Sequence, residues 1–374
     1  MIRPRLPALA LLVAFAGPGA CGESPESPAR PAAAASSLPL PPGAAVQSAD
    51  SSPTQRLRIV VDVHPRRNPL FTRAHAQAVA DSVPEVDWVI VPPESVAAVI
   101  GTADAFIGAP TPGLIRAGAR LRWVQTQSGG VDAFLFPALR ESPIVLTDAK
   151  IVKGAAMADH AMGLLLLLTR QLWRAVEARR REEWTNERYQ PTELRGKTAL
   201  VVGLGGAGTQ VAERAFASGM RVIATDPKDI PIMRAVDRVA RPEQLPDLLP
   251  LADVIFLTAP LTAQTDKLLG EREFGLMKRG VYLINVARGD LVDTEALVRA
   301  LQDGRVAGAG LDVVSPHPAR GHPLWKMNNV IMTPHLAGRS DRGPEHRSQL
   351  IIENARRFVR GLPLRNLVDK TIGY

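Results

Sequence analysis

From Leu57 onward, short runs rich in β-branched residues alternate with stretches whose apolar residues recur at helical spacing. The runs at 57–63, 86–91, 105–108 and 121–126 form a first series, and the alternation predicts βαβ units on a parallel sheet. A long apolar helix is predicted from about 155 to 172. A second series of strands follows it at 199–202, 221–225, 253–258, 281–286, 306–314 and 329–332. The fold class is therefore α/β, with two doubly wound parallel-sheet domains. The helical pattern after Ser340 places Leu350, Ile351, Ala355 and Phe358 on one face and has no strand behind it, so it packs back onto the first domain. The expected division is 57–153 with 340–374 for one domain and 154–339 for the other.

The first 56 residues follow a different pattern. Arg3 and Arg5 precede an apolar run from Leu6 to Ala16, which breaks at Gly17 and Pro18 ahead of Gly19-Ala20-Cys21. That order is the one found in secretory signal peptides. The cysteine behind a small pair resembles the lipobox of bacterial lipoproteins, although Pro18 stands where that motif usually carries Leu. Residues 1–21 are thus expected to be a signal with lipidation at Cys21, and 22–56 a Pro/Ala/Ser tether too poor in large apolar side chains to fold. The product would be exported or anchored at a membrane. A start codon assigned upstream of a cytoplasmic protein would leave the same residues.

Composition narrows the function classes. Of 374 residues, 46% are hydrophobic and 22% charged, enough apolar material for a sizeable core. No run of about 18 uncharged apolar residues occurs, which excludes a helical channel or transporter. The single cysteine excludes a disulfide scaffold and Cys-ligated zinc. The net charge of +8 raises the question of nucleic acid. The Arg-rich stretches 170–188 and 339–365 nevertheless carry Glu177, Glu182, Glu183 and Glu353 at helical spacing, which predicts solvated faces laced with ion pairs, not a nucleic-acid surface.

The chemistry begins at a strand that runs into Gly203-Leu-Gly205-Gly206-Ala207-Gly208, followed by a helix over 209–220 and a further strand ending at Asp226. The first glycine permits a tight turn, the second lets backbone approach a pyrophosphate, and the third lets helix and strand pack closely. A carboxylate at the end of the next strand accepts hydrogen bonds from ribose hydroxyls and repels a 2′-phosphate, so NAD is expected over NADP. Ligands of open α/β sheets bind outside the carboxyl ends of the strands. Those ends carry Thr258-Ala259-Pro260, Asn285-Val286-Ala287-Arg288, Asp312 and Thr333-Pro-His335. Arg288 offers a planar fork for a carboxylate and carbonyl, and His335 a group that titrates near neutrality. Singly, Arg288 reads as a surface residue, Asp312 as a turn former and His335 as a strand cap; together at one rim they predict a site.

These residues resemble the D-isomer-specific 2-hydroxyacid dehydrogenase family over nearly all of 57–364. The marks are Ser128-Gly-Gly-Val-Asp132, Ala158-Asp-His160, residues 203–208, Leu261-Thr262, Asn285-Val-Ala-Arg-Gly289, Leu311-Asp-Val313, Pro323-Leu-Trp325 and Thr333-Pro-His-Leu-Ala-Gly338. Within the family the motifs are most similar to glyoxylate and hydroxypyruvate reductases. The resemblance implies a Rossmann NAD-binding domain inserted into a flavodoxin-like substrate domain, a homodimer, and a small 2-oxo or 2-hydroxy acid as substrate. It implies that amides at Gly129 and Gly130 hold the substrate carboxylate, that Arg288 and His335 carry catalysis, and that Val286, Ala287, Asp312 and Gly338 line the cofactor with the residues above.

One departure stands out. Where the family carries a glutamate that bonds the catalytic histidine, this chain reads Ser315-Pro-His317-Pro318, and no Asp or Glu occurs between Val313 and Arg339. His317 is therefore the expected neighbour of His335, an uncharged partner that holds the proton less firmly. That departure, with the signal-like N-terminus, leaves open a catalytically weak or inactive NAD-binding protein anchored at a membrane. His317, His322 and His335 could together bind a metal, but without an accompanying carboxylate or cysteine no metal is assigned.

Overall fold

The computed structural model describes residues 56–64, 71–184, 186–187 and 189–374. The expected signal, Cys21 and nearly all of the expected tether lie outside the described residues.

Two parallel sheets organise the described chain. The first has β1 (Arg58–Asp62), β2 (Asp87–Val91), β3 (Ala105–Ile107), β4 (Trp123–Gln125) and β5 (Val145–Thr147) in the order β2-β1-β3-β4-β5. The second has β6 (Thr198–Val202), β7 (Arg221–Thr225), β8 (Arg238–Ala240), β9 (Val254–Leu257), β10 (Val281–Asn285), β11 (Val306–Leu311) and β12 (Val330–Met332), ordered β12-β11-β10-β9-β6-β7-β8. Strands such as β6 and β9 are buried almost throughout, which is why they appear as continuous apolar runs and not as alternations. In both sheets the order reverses next to the first strand, at β1 and at β6, the point at which open α/β sheets take ligands beyond their carboxyl ends.

The long helix runs from Lys150 to Thr169, five residues earlier at its start than the apolar periodicity indicates. It is one continuous element, so the expected boundary between 153 and 154 falls inside it. Gln171 in a left-handed conformation ends it, and a second helix, Leu172–Arg180, follows. Among the described residues Lys150–Thr169 is the one helix long and apolar enough to cross a bilayer by length and composition. Here Leu164, Leu165 and Leu168 are buried against the seven-stranded sheet. β11 carries Gly308 and Gly310 beneath it, where an added Cβ would come within 3.1 Å of Leu168 and 2.8 Å of Leu164.

The helix Gly343–Val359 returns to the five-stranded sheet, burying Ile351, Ala355 and Phe358 with Val61, Val79 and Trp123. Asn354 ties it down: its amide donates to Gln125 Oε1 (3.0 Å) and its carbonyl accepts from Arg365 N (2.7 Å). The Arg-rich stretches form ion pairs, Arg180 with Glu177 and Arg357 with Glu353 among them.

Candidate active site

The turn after β6 is built as the glycine spacing requires. Gly203 has φ +93°, and a Cβ on it would lie 2.8 Å from Ala259 Cα, so only glycine fits against the neighbouring strand end. On Gly208 a Cβ would lie 1.8 Å from Gly203 O, which brings the helix Gly206–Ala217 against β6. Around Gly205 a Cβ would meet nothing within 4 Å. The glycine turn therefore leaves open space at the amino end of a twelve-residue helix, where unpaired amides favour an anion.

Thr258 closes the same turn from β9, donating its hydroxyl to Gly203 O at 2.7 Å. Asp226 is buried at the end of β7; its Oδ2 accepts from Leu204 N (2.8 Å) and its Oδ1 from Lys228 N (2.9 Å). Each oxygen keeps a further lone pair, which suits ribose hydroxyls. The residues present thus fit a dinucleotide: open space for its phosphates and a carboxylate for its ribose.

Asn285 shapes the next rim segment. Its side chain accepts from Ala287 N and donates to Arg288 O (3.0 and 2.8 Å), turning Val286 and Ala287 inward and sending Arg288 across to the other half of the molecule. There Nε and Nη2 of Arg288 both donate to Asp132 Oδ1, at 3.1 and 2.9 Å. A Cβ on Gly130 would sit 2.0 Å from Arg288 Nη2, so the guanidinium lies directly against the glycine pair after β4.

His335 follows β12 with φ +52°, a left-handed backbone that an L side chain adopts only where its surroundings impose it. Asp312 imposes it. Its carbonyl accepts from His335 N (2.9 Å), Oδ1 accepts from Thr333 Oγ1 (2.6 Å) and Leu336 N (2.9 Å), and Oδ2 accepts from Ala337 N (2.9 Å). His160 on the long helix joins in, its Nε2 2.8 Å from Thr333 Oγ1.

Residues 162–337 match the family model described as D-isomer specific 2-hydroxyacid dehydrogenase, NAD binding domain. The glyoxylate reductase of Thermococcus gammatolerans is 35% identical over 260 residues, which are 68% of this chain and 78% of that protein. The chain belongs to the D-isomer-specific 2-hydroxyacid dehydrogenase family. The D-3-phosphoglycerate dehydrogenase of Methanocaldococcus jannaschii is 33% identical over 262 residues, 69% of this chain and 49% of that protein. The chain therefore spans about half the length of the curated D-3-phosphoglycerate dehydrogenases it matches. Among solved structures, the D-isomer specific 2-hydroxyacid dehydrogenase of Xanthobacter autotrophicus, in complex with NADPH and MES, is similar with a TM-score of 0.73. It is 26% identical, and the match covers 86% of this chain and 100% of that one.

Against the family pattern, His317 makes no hydrogen bond to His335. It is exposed, and among the described residues it forms no hydrogen bond or ion pair. Ser315, two residues before it, is held against the segment that follows Arg288, its carbonyl accepting from Thr294 Oγ1 (2.7 Å) and its hydroxyl donating to Asp290 (2.5 Å). His322 is engaged too, its Nδ1 accepting from Leu324 N. The groups that bear on His335 are others. Partial burial lowers its pKa below the ordinary imidazole value, the cations Arg288 and Lys153 lower it further, and the carboxylates Asp312 and Asp132 oppose them.

Two of these groups escaped the sequence reading. Asp132 was visible only as the end of a motif, and nothing in its spacing pointed to Arg288, 156 residues away. Lys153 carries no motif signal at all.

Proposed function

We propose that the protein is an NAD-dependent oxidoreductase that interconverts a small 2-oxo acid and the corresponding D-2-hydroxy acid, in the manner of a glyoxylate or hydroxypyruvate reductase. The observation that carries this reading is the guanidinium of Arg288 seated on Gly130 at the rim that also carries the left-handed His335. The nicotinamide, when bound, supplies or accepts the hydride. Amides 205–208, Asp226 and the segment Thr258 to Pro260 would hold the cofactor.

Arg288 spends donors on Asp132 and on Ala287 O, which leaves one N–H on Nη1 and one on Nη2 for the substrate's carboxylate and carbonyl. The backbone at Gly129 and Gly130 would complete the carboxylate site. His335 moves the proton at the substrate oxygen. Its lowered pKa makes it a ready base for oxidation at neutral pH, and makes reduction fall off with rising pH earlier than an ordinary imidazole would. NADH-linked turnover across a panel of 2-oxo acids tests the reading; cofactor binding without turnover of any of them would overturn it. The second reading, a catalytically weak or inactive NAD-binding protein anchored at a membrane, is favoured by the missing glutamate and gains from that same result.

Two further proposals concern assembly and place. Leu172, Val176 and Trp184 are exposed behind the long helix and support a homodimer, which sedimentation would reveal. The lipobox-like Cys21 supports export and anchoring; full-length protein should fractionate with membranes in a Gram-negative host and Cys21→Ser should release it.

A further inference from the structure

Lys153 stands in the first turn of the helix Lys150–Thr169, and its stem is wedged between the two loops that make the site. A Cβ on Gly129 would lie 3.5 Å from Lys153 Cδ, and one on Gly338 3.1 Å from the same atom. The side chain therefore enters the cleft where the glycine pair of the five-stranded half meets the His335 loop of the seven-stranded half.

Its charge is not answered there. Among the described residues Lys153 makes no hydrogen bond or ion pair, whereas Arg288 has Asp132 and Lys150 has Asp148 at 3.8 Å. Burial lowers its pKa to about 8, with Arg347, Arg288 and Arg339 all acting in the same direction and Asp148 alone opposing them. Asp148 is already shared with Lys150, and burial raises its carboxyl to about 6. An ammonium held among three guanidiniums is an unfavourable arrangement for the free protein. A ligand with one carboxylate, bound by Arg288 and the glycine amides, leaves it so.

We propose that Lys153 forms a second anion subsite beside Gly129, and that the substrate is a 2-oxo acid with a further negative group, carboxylate or phosphate, on its side chain. This rests on the 2-oxo acid reading above. Lys153 then selects among substrates, while Arg288 and His335 act on the reacting carbonyl. Both carboxylate and phosphate satisfy an ammonium, and the substrates themselves distinguish them.

The test compares glyoxylate and pyruvate with 2-oxoglutarate, oxaloacetate and 3-phosphooxypyruvate in NADH-linked reduction. The unmodified protein should favour the doubly functionalised acids in kcat/KM. Lys153→Met, which keeps the stem's packing, should lower that preference by about tenfold or more, the size expected for a lost charge-assisted hydrogen bond. Lys153→Arg should retain most of it. Reading the ratio between substrate classes at one pH cancels the effect that Lys153 has on His335 in both. Equal losses for both classes, or no preference in the unmodified protein, would overturn the proposal. If no 2-oxo acid turns over, the parent reading fails, and thermal stabilisation by 2-oxoglutarate against that by pyruvate, with NADH present, still decides the subsite. A larger shift with 2-oxoglutarate that disappears in Lys153→Met supports it, and equal shifts overturn it.

Discussion

The two walls of the cleft are built on opposite principles. On the cofactor wall the polar groups are held mainly by neighbouring backbone: Asp226 by Leu204 and Lys228, Thr258 by Gly203, and Asp312 by Leu336 and Ala337, with Thr333 Oγ1 added. On the substrate wall charges face one another across the molecule: Arg288 reaches Asp132, while Lys153 and Asp148 are both shifted by burial. The first wall has its polar groups already hydrogen-bonded. The second holds a buried ammonium without an ion pair among the described residues, the kind of perturbed group that marks candidate functional sites.

The largest expected effect breaks the comparison at its seam. His335→Ala should lower turnover by about 10²- to 10⁴-fold while NADH affinity, followed by fluorescence titration, stays essentially unchanged, because the glycine turn and Asp226 are expected to carry the cofactor's binding energy. Parallel loss of both would mean that the two walls are not independent.

A matched pair of charge removals should move stability in opposite directions. The folded state raises Asp148 from 3.8 to about 6, so the native protein holds that proton more tightly than the unfolded chain does. Its ionisation therefore erodes stability as pH rises through that window, and the full penalty is present at pH 7. Asp148→Asn should stabilise the protein at pH 7 by about 2 kcal/mol and change little at pH 4. Asp312→Asn should instead destabilise it by about 1 to 3 kcal/mol, since an amide N–H would confront an N–H donor. Chemical denaturation at the two pH values checks both, and same-sign effects would erase the contrast.

Cofactor choice sharpens the description of the hydrogen-bonded wall. Asp226→Asn keeps an acceptor for Leu204 N, turns an amide N–H toward Lys228 N and removes the charge, and the preference for NADH over NADPH should shrink by about tenfold. An unchanged ratio would mean that Asp226 serves the glycine turn and not the ribose.

The smallest effect concerns the substrate wall. Asp132 raises the pKa of His335, so Asp132→Asn should move the alkaline limb of the reductive pH profile downward by less than about one unit, and Lys153→Met should move it upward. Shifts in the same direction would show that geometry, and not charge, links these residues to His335.

The sequence by itself determined the cofactor wall. Its elements are contiguous in the chain: β6, the glycine turn, the following helix and Asp226 lie within 29 residues of one another, and sheet burial forces long apolar runs that periodicity detects. The return of the helix Gly343–Val359 was equally legible, because an amphipathic helix with no strand behind it must bury its face on what is already there. The edge strands β5 and β8, three residues each, were not read from the sequence. The substrate wall was decided by tertiary structure alone. Whether Arg288 meets Asp132, whether Lys153 enters the cleft, and whether His317 turns toward His335 or away to solvent all depend on how loops from two sheets are brought together. Charge acts through space, and the chain order holds no record of which charges will be near once it has folded.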